Sequence, residues 1–380
     1  MDFTLNDEQV LLRDGLGRFL ATRYGLGQSR SAAKTGLGWQ PDIWLAFADE
    51  LGILGAALPE EYGGVGGGPV EMMLIAEALG HALVVEPYVD TVVVAAGLLQ
   101  RAGGDIATEL LEKIVAGSAI VTLAATEPTS GEHWQAVSTV ARRDGDQWVL
   151  TGSKIVSAST PLASHVLVTA RTSGERSDEN GISLFVVEID SATSGIELHN
   201  YRTIDDRRAS DIVLDGLRLP AAALLGDHGG GWPSLAQARD EGAAAICAEA
   251  VGCMRKVLAD TVEYCQQRQQ FGQPISGFQV LQHRMVDMYI EVERSSAAVH
   301  LAILNLDADD ATRARAVSVA KATVGRAAQF VGQQAVQLHG GMGMTEELAI
   351  GHYFKRLTAL QFEFGSTDHH VTRYAQLTSR

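Results

Sequence analysis

Apolar residues follow a helical period at both ends of the chain and a strand period only in the middle. Between residues 8 and 24 they recur three and four positions apart, as at Leu12, Leu16 and Phe19, after a polar helix start at residues 6–8. A similar stripe, which includes Leu281 and Met285, returns after the glycines at 229–231. The pattern predicts a mainly α chain with a β insert.

The β insert is marked by short apolar runs separated by turn residues. Residues 140–150 read VARRDGDQWVL, which predicts a strand, an Asp-Gly turn and a second strand. Further β-rich segments lie at 166–170, 182–187 and 212–214. Because 380 residues exceed one ordinary core, we predict three domains. They are an N-terminal helical domain (1–118), a middle β-domain (119–224) and a C-terminal helical bundle domain (225–380).

The region before the insert contains a glycine-rich segment that resembles a phosphate-binding loop only superficially. The sequence from 44 to 55 predicts one helix, and a turn follows at 58–64 (LPEEYGG). The glycines at 63–68 follow this turn rather than a strand, and no Gly-Lys-Ser/Thr ending is present. A structural turn is the preferred interpretation.

Composition excludes several classes of function. The formal charge of −16 argues against nucleic acid as a partner, since its phosphates require a basic face. Residues 1–8 (MDFTLNDE) lack the basic and apolar regions of a signal peptide, and no apolar run reaches the ~18 residues of a membrane span. Cys247, Cys253 and Cys265 fall in one predicted helix without disulfide or zinc spacing. We expect buried reduced thiols, a cytoplasmic protein and no membrane partner.

Two short motifs carry the candidate chemistry. Residues 268–272 read RQQFG at the end of one predicted helix, and residues 337–343 read QLHGGMG at the end of another. Arginine can neutralise a diphosphate, and glycines let backbone amides approach a ligand closely. Taken singly, Arg268 would be a surface salt bridge, and Gly340 with Gly341 a helix C-cap.

Taken together and in order, these motifs resemble those of the acyl-CoA dehydrogenase family. The resemblance also includes LPEEYGG at 58–64 and TEP at 126–128, and it spans essentially the whole chain. It implies the acyl-CoA dehydrogenase fold, which has an N-terminal helical domain, a middle β-barrel-like domain and a C-terminal four-helix bundle. It also implies FAD as the cofactor.

The resemblance assigns two groups of flavin contacts. Residues matching Arg268, Gln270 and Phe271 reach the diphosphate and adenine end of the neighbouring subunit's FAD. The residues that complete this wall are Gln337, Gly340 and Gly341. Thr126 is assigned to the flavin ring edge, and Ser366 is also placed among the cofactor contacts.

The chain departs from the family at the catalytic base. The family's reaction removes an α-proton with a carboxylate in a dry pocket. The segment that commonly carries this glutamate reads FEFGST at 362–367, so Phe364 occupies the position of the base. Glu363 falls where a tyrosine is usual, and we expect its side chain to point elsewhere. No catalytic residue is therefore assigned in this segment.

Some family members carry the base on the helix that leads to the 268–272 motif. The nearest acid is Glu241, one residue before the expected position at Gly242, which is a rotation of about 100° on a helix. A solvated charge at a helix start is the preferred interpretation of Glu241, and a displaced base is the alternative. The flavin loop at 129–133 (TSGEH) and the ring wall at 156–158 (VSA) also depart from the family's usual GAGSD and WIT.

Other candidate sites are weaker. The run at 368–370 (DHH) lacks the i,i+4 histidine spacing of a zinc helix, so no metal is expected. His352, Lys355 and Arg356 are predicted to form a polar face. No serine nucleophile elbow is present in the sequence.

Three hypotheses remain open. The first, which we favour, is a non-catalytic subunit of a heterotetrameric (α2β2) acyl-CoA dehydrogenase, whose homologous partner subunit supplies the base. The ending FGSTDHH resembles small subunits of such enzymes that act on pimeloyl-CoA or steroid-side-chain CoA esters. The second is a self-sufficient homotetramer using Glu241, and the third is a flavin-free pseudoenzyme. The resemblance implies a bulky acyl-CoA as substrate and an electron-transfer flavoprotein as acceptor.

Overall fold

The computed structural model describes residues 4–34, 37–190 and 193–379. The α-helices within these ranges are α1 (Asp7–Arg23), α2 (Leu26–Lys34), α3 (Pro41–Asp49), α4 (Pro69–His81), α5 (Ala96–Ala102), α6 (Asp105–Val115), α7 (Trp232–Gln267), α8 (Gln279–Ile303), α9 (Asp310–His339), α10 (Ala349–Leu360) and α11 (Thr367–Thr378). The strands are β1 (Val121–Ala124), β2 (Val140–Asp144), β3 (Gln147–Ala158), β4 (His165–Arg171), β5 (Ile182–Glu188), β6 (Ile196–Arg202), β7 (Arg208–Pro220), β8 (Leu224–Leu225), β9 (Gln269–Gln270) and β10 (Gln273–Pro274). The predicted order of helices, β insert and helices is confirmed.

The chain divides into two compact units. The first contains the described residues 4–31, 69–84 and 243–379, and the second contains 32–34, 37–68, 85–190 and 193–242. The long C-terminal helices belong to the first unit, and the eight-stranded sheet belongs to the second. The three domain boundaries derived from the sequence stay a prediction.

Helices of the first unit approach one another through small residues. A Cβ added at Gly80 in α4 would lie 2.0 Å from the carbonyl oxygen of Glu249 in α7, and one at Gly252 would lie 1.9 Å from that of Glu77. Glycine is required at both positions because a side chain would force the two backbones apart. α9 packs against α8, α10 and α11, and its buried face is mostly alanine and valine.

The second unit is built on one sheet, in the order β6-β7-β3-β2-β4-β5-β8, with β1 parallel to β4. Its apolar core includes Trp148 and Phe185, whose rings meet edge to face at 5.4 Å. The predicted hairpin is confirmed, since β2 and β3 pair antiparallel with Asp144 opposite Gln147. Gly145 supplies the turn with a φ of 64°.

The predicted helix over 44–55 is wrong in its second half. α3 ends at Asp49, and the chain then turns through Gly52, whose φ of 62° lies in the left-handed region. The glycine-rich segment at 63–68 is a structural turn, as predicted. A Cβ at Gly64 would lie 2.1 Å from the carbonyl oxygen of Leu58, so this glycine packs against backbone.

The three cysteines lie together in one helix. Cys247, Cys253 and Cys265 all lie in α7 and are buried, as predicted.

No helix in the described part of the chain combines the length and apolar character needed to span a membrane.

Candidate flavin and base sites

The first motif forms a short, exposed hairpin after α7. The backbone N–H of Arg268 donates to the backbone carbonyl of Tyr264 at 2.8 Å. β9 then pairs with β10, with Gln270 opposite Gln273. Phe271 at the turn has a φ of 54°, and 91% of its surface is exposed. Such backbone strain in a non-glycine residue is uncommon and is concentrated at functional positions. The hairpin therefore leaves the Phe271 side chain exposed at its turn.

The second motif lies beside the first because the two helix ends touch. The rings of Tyr264 in α7 and His339 in α9 stack at a centroid distance of 4.3 Å. α9 ends at His339, and Gly340 follows with a φ of 61°. No atom lies within 4 Å of a Cβ added at Gly340 or Gly341, so the backbone there is open on that side.

The side chains of this exposed set are available to an external ligand. Arg268, Gln270 and Gln337 are exposed. Within the described residues no carboxylate pairs with Arg268, so the salt-bridge alternative for this residue is absent there. A guanidinium and a glycine backbone that a ligand can approach closely are features that suit a phosphate.

The segment that would carry the base is held by a buried lysine. The Lys321 ammonium donates to the carbonyl oxygens of Leu360 (3.0 Å), Gln361 (3.1 Å) and Gly365 (2.8 Å). These bonds satisfy carbonyls at the end of α10 and fix the chain on both sides of Phe364. Phe364 itself has a φ of 55°. A phenyl ring cannot accept a proton, so this position offers no base.

His370 of α11 holds the same segment from the other side. Its Nε2–H donates to the carbonyl oxygen of Phe364 at 3.0 Å, and its Nδ1 lies 3.3 Å from the Ser318 hydroxyl. Burial lowers the pKa of His370 to about 2. The imidazole is therefore neutral and serves as a hydrogen-bond donor rather than an acid.

The predicted polar face on α10 is wrong for two of its three residues. His352 and Arg356 are buried, with 6% and 2% of their surfaces exposed. Arg356 pairs with Glu249 of α7 at 2.7 Å and with Glu363 at 2.6 Å. Burial of the guanidinium is tolerated because two carboxylates satisfy it. Glu363 points toward Arg356 and is occupied by this pair.

Ser366 and the neighbouring histidines have structural contacts. The Ser366 hydroxyl caps α11 by accepting the backbone N–H of His369 at 3.2 Å. The rings of His369 and His370 are inclined by 80° and do not converge. No group of three potential metal ligands occurs among the described residues.

In the second unit, Thr126 lies beside the ring-wall segment at 156–158. The backbone N–H of Ile155 donates to the Thr126 carbonyl at 2.9 Å. Next to it Glu127 pairs with the buried Lys154 ammonium at 2.7 Å. Burial lowers the pKa of Lys154 to about 8 although Glu127 opposes this. This buried pair anchors the segment after β1 that carries Thr126.

Glu241 does not lie in the helix-start setting preferred for it. It lies in the third turn of α7, which begins at Trp232, and not at the helix start. Its carboxylate pairs with Arg101 at 2.8 Å and accepts from Gln237 at 2.9 Å, with 17% of the side chain exposed. The solvated helix-start interpretation is wrong. A role as base would require the carboxylate to leave Arg101.

Three domain models of one protein family match successive parts of the chain. The acyl-CoA dehydrogenase N-terminal, middle and C-terminal domain models match residues 6–118, 122–217 and 229–377. Acyl-CoA dehydrogenase FadE12 from Mycobacterium tuberculosis is 31% identical over 358 residues, which cover 92% of this chain and 90% of FadE12. The chain belongs to the acyl-CoA dehydrogenase family.

Two solved structures superpose on essentially the whole chain. The steroid acyl-CoA dehydrogenase Tcur3481–Tcur3483 superposes with a TM-score of 0.88 at 27% identity, covering 99% of each chain. The ChsE4–ChsE5 complex from Mycobacterium tuberculosis gives 0.89 at 25% identity, covering 100% of this chain and 99% of the matched chain. The acyl-CoA dehydrogenase fold is thereby confirmed, with helical, β and helical domains in sequence.

FAD is the cofactor that family membership implies, and the residues of the first unit fit it. The exposed Arg268 guanidinium and the open backbone at Gly340 and Gly341 suit a diphosphate. Sequence reasoning located these groups because they lie in short motifs. It missed Lys321 and Glu249, which act through contacts with residues far along the chain.

Proposed function

We propose that this chain is a non-catalytic subunit of a heteromeric, FAD-dependent acyl-CoA dehydrogenase. A homologous partner subunit supplies the carboxylate that removes the α-proton of a bulky acyl-CoA. This chain supplies Arg268, Gln270, Phe271, Gln337, Gly340 and Gly341 to the diphosphate and adenine end of the partner's FAD. When bound, FAD accepts the β-hydride of the acyl group.

The observation that carries the proposal is a contrast within the first unit. The position of the base holds Phe364, and the nearby carboxylates are occupied, since both Glu249 and Glu363 pair with Arg356. The exposed diphosphate-binding set is intact, and its arginine pairs with no carboxylate of the described residues. A chain without the catalytic base, but with exposed groups that can bind a diphosphate, suits an active site that is shared with a partner subunit.

The partner, substrate and acceptor are proposed from the same resemblance. The two-chain neighbours support a homologous subunit in an α2β2 assembly, and one of them is described as a steroid acyl-CoA dehydrogenase. A steroid side chain or a dicarboxylic acid is the acyl group that we propose. An electron-transfer flavoprotein is the proposed acceptor.

The test is the ratio of flavin to protein for this chain, purified alone and with a co-expressed homologous subunit. We expect little flavin on the isolated chain and about one flavin per two chains in the complex, since the two subunits share each site. One flavin per chain on the isolated, active protein would overturn the proposal. That result would favour the self-sufficient enzyme, and Glu241 would be the first base to test.

A matched pair of variants tests the diphosphate contact. Arg268→Ala is expected to lower the FAD content of the complex roughly tenfold, because a charge-assisted contact to phosphate is lost. Arg13→Ala is the control, since Arg13 is also an exposed arginine of the first unit and pairs only with Asp14 among the described residues. Equal FAD content in the two variants would remove Arg268 from the site.

A further inference from the structure

The sheet of the second unit has a groove beside β2, near the end of β4. β2 pairs with β3 along its whole length, but it pairs with β4 only at Val140, which lies opposite Arg171. A groove of about 510 Å³ is lined in part by Arg143, Trp148 and Thr172. This volume suits a small organic ligand. None of the residues that line the groove belongs to the flavin contacts assigned above.

Two stacked rings line this groove. The His228 imidazole lies on the Trp148 indole, with ring centroids 5.5 Å apart and ring planes inclined by 21°. Trp148 is only 4% exposed, whereas His228 is exposed. The imidazole is therefore the outer ring of the stack, and its outer face can receive a further planar ring. Aromatic side chains that are arranged in this way suit a nucleobase, since every base has a flat face.

The charged groups of the groove suit an anion. The Arg143 guanidinium lies 5.5 Å from the Trp148 ring centroid, and its Nε–H donates to the Gly145 carbonyl at 3.2 Å. No carboxylate of the described residues pairs with Arg143, so both of its Nη groups are available to an external acceptor. Arg142 is a second exposed arginine of the lining, and no acidic residue is among the described residues that line the groove.

The edge of β2 adds a backbone donor. Asp144 and Gln147 close the two-residue turn of the hairpin, so they form its last hydrogen-bonded pair. Bonded and non-bonded pairs alternate along an antiparallel ladder, so Arg143 turns its backbone N–H away from β3. No described strand pairs with Arg143 on that side. An unpaired amide at a sheet edge, beside a guanidinium, suits a phosphate group.

We infer that this groove binds a free nucleoside phosphate, with the phosphate groups at Arg143 and the base on the outer face of His228. A nucleoside phosphate is favoured over a simple anion because it uses both the stacked rings and the donor groups. The volume of the groove also exceeds what an inorganic phosphate would fill. The site goes beyond the proposed function, because none of the flavin contacts takes part in it.

The test is calorimetric titration of the full chain with ADP, in saturating FAD so that any site for the ADP half of the flavin is occupied. Arg143→Ala is expected to weaken ADP binding roughly tenfold, because a charge-assisted contact to phosphate is lost. His228→Ala is expected to weaken it roughly fivefold through loss of stacking, and His228→Phe is expected to retain most of the affinity. Arg218→Ala is the control, since Arg218 is exposed, pairs with Asp144 and does not line the groove.

Two half-ligands and CoA test the class of ligand. Adenosine and pyrophosphate are each expected to bind roughly tenfold more weakly than ADP, since each uses only one part of the groove. Pyrophosphate that binds as tightly as ADP would indicate an adventitious anion only and would overturn the nucleotide assignment. CoA carries the same base and diphosphate as ADP. Displacement of ADP by CoA would therefore overturn a site for a free nucleotide.

The flavin contacts and the groove are separated by one further comparison. Arg268→Ala is expected to bind ADP normally, whether or not it loses flavin. Loss of ADP binding in Arg268→Ala, with normal binding in Arg143→Ala and His228→Ala, would place ADP at the flavin contacts and overturn the groove as its site. Arg143 and His228 are exposed, so the urea midpoints of their variants are expected to match that of the unmodified chain.

Discussion

Arg356 and Glu249 form a buried, two-point ion pair between α10 and α7. Nε lies 2.7 Å from one carboxylate oxygen, and Nη2 lies 3.0 Å from the other. Only 2% and 4% of the two side chains are exposed. Both charged groups are buried away from water, so each needs the other to offset the cost of its desolvation. Because Arg356 also pairs with Glu363, the network reaches the segment before Phe364.

The first prediction concerns the stability of this network. Arg356→Met is expected to lower the free energy of unfolding by about 3–5 kcal/mol, because it leaves Glu249 buried without its counter-charge. Glu249→Gln is expected to cost less, since Arg356 keeps Glu363. Urea denaturation measures both. The control is Arg218→Met, whose partner Asp144 is 61% exposed, and it should cost less than about 1 kcal/mol. A similar cost for both arginines would contradict the buried-pair account.

The sequence predicted the class of fold because periodicity reports which face of an element is buried. It placed the hairpin at 140–150 and the helix ends that carry both motifs, where turn residues act locally. It missed Arg356 because a charged helical residue is ordinarily solvated, and its partner Glu249 lies 107 residues away. The end of α3 was missed since only the backbone reveals the left-handed Gly52.

The second prediction concerns the lysine that holds the Phe364 segment. Lys321→Met is expected to destabilise the chain by about 2–4 kcal/mol, because two carbonyl acceptors at the end of α10 and that of Gly365 lose a charged donor. Amide hydrogen exchange over residues 361–366 is expected to accelerate. Lys113→Met, at an exposed i,i+4 pair with Glu109, is the control and should change stability little. Unchanged exchange in Lys321→Met would show that the segment is held by other contacts.

The third prediction is a pH dependence from His370. Burial lowers the pKa of His370 from 6.5 to about 2, so below pH 6.5 the unfolded chain binds a proton that the folded chain does not. The free energy of unfolding contributed by this residue is therefore present above pH 6.5. It is lost as pH falls, at up to about 1.4 kcal/mol per pH unit.

His370→Gln removes this titration and is expected to flatten the decline in stability between pH 6 and pH 4.5. His199→Gln is the control, because His199 is exposed on β6. Urea midpoints measured across this range check the prediction. Parallel declines in the unmodified chain and His370→Gln would show that His370 takes up its proton while folded.

The fourth prediction separates stability from cofactor binding at the second motif. No atom lies within 4 Å of a Cβ added at Gly341, so Gly341→Ala is expected to change the free energy of unfolding by less than about 1 kcal/mol. The new methyl group would stand where the backbone is proposed to meet a diphosphate. The FAD content of the complex is therefore expected to fall severalfold. Full FAD content in Gly341→Ala would mean that the cofactor does not approach this backbone.

The fifth prediction decides between a shared site and a displaced base. The Glu241 carboxylate is held by Arg101 at 2.8 Å and by Gln237 at 2.9 Å, so its proton-accepting oxygens are already engaged. Glu241→Gln keeps the side-chain shape and is expected to leave the acyl-CoA dehydrogenase activity of the complex within about twofold. The stability is expected to fall by about 1 kcal/mol, because a partly buried ion pair becomes a neutral hydrogen bond.

A general base behaves differently on the same substitution. Removal of a residue that accepts the α-proton typically lowers turnover by about 10²–10⁴-fold. The matched control is Arg101→Gln, which breaks the same ion pair from the other side and leaves the carboxylate in place. If Glu241→Gln abolishes turnover while Arg101→Gln retains it, the carboxylate is the base and the chain is self-sufficient. Small effects from both variants would indicate that the partner subunit supplies the base, in agreement with the phenylalanine at position 364.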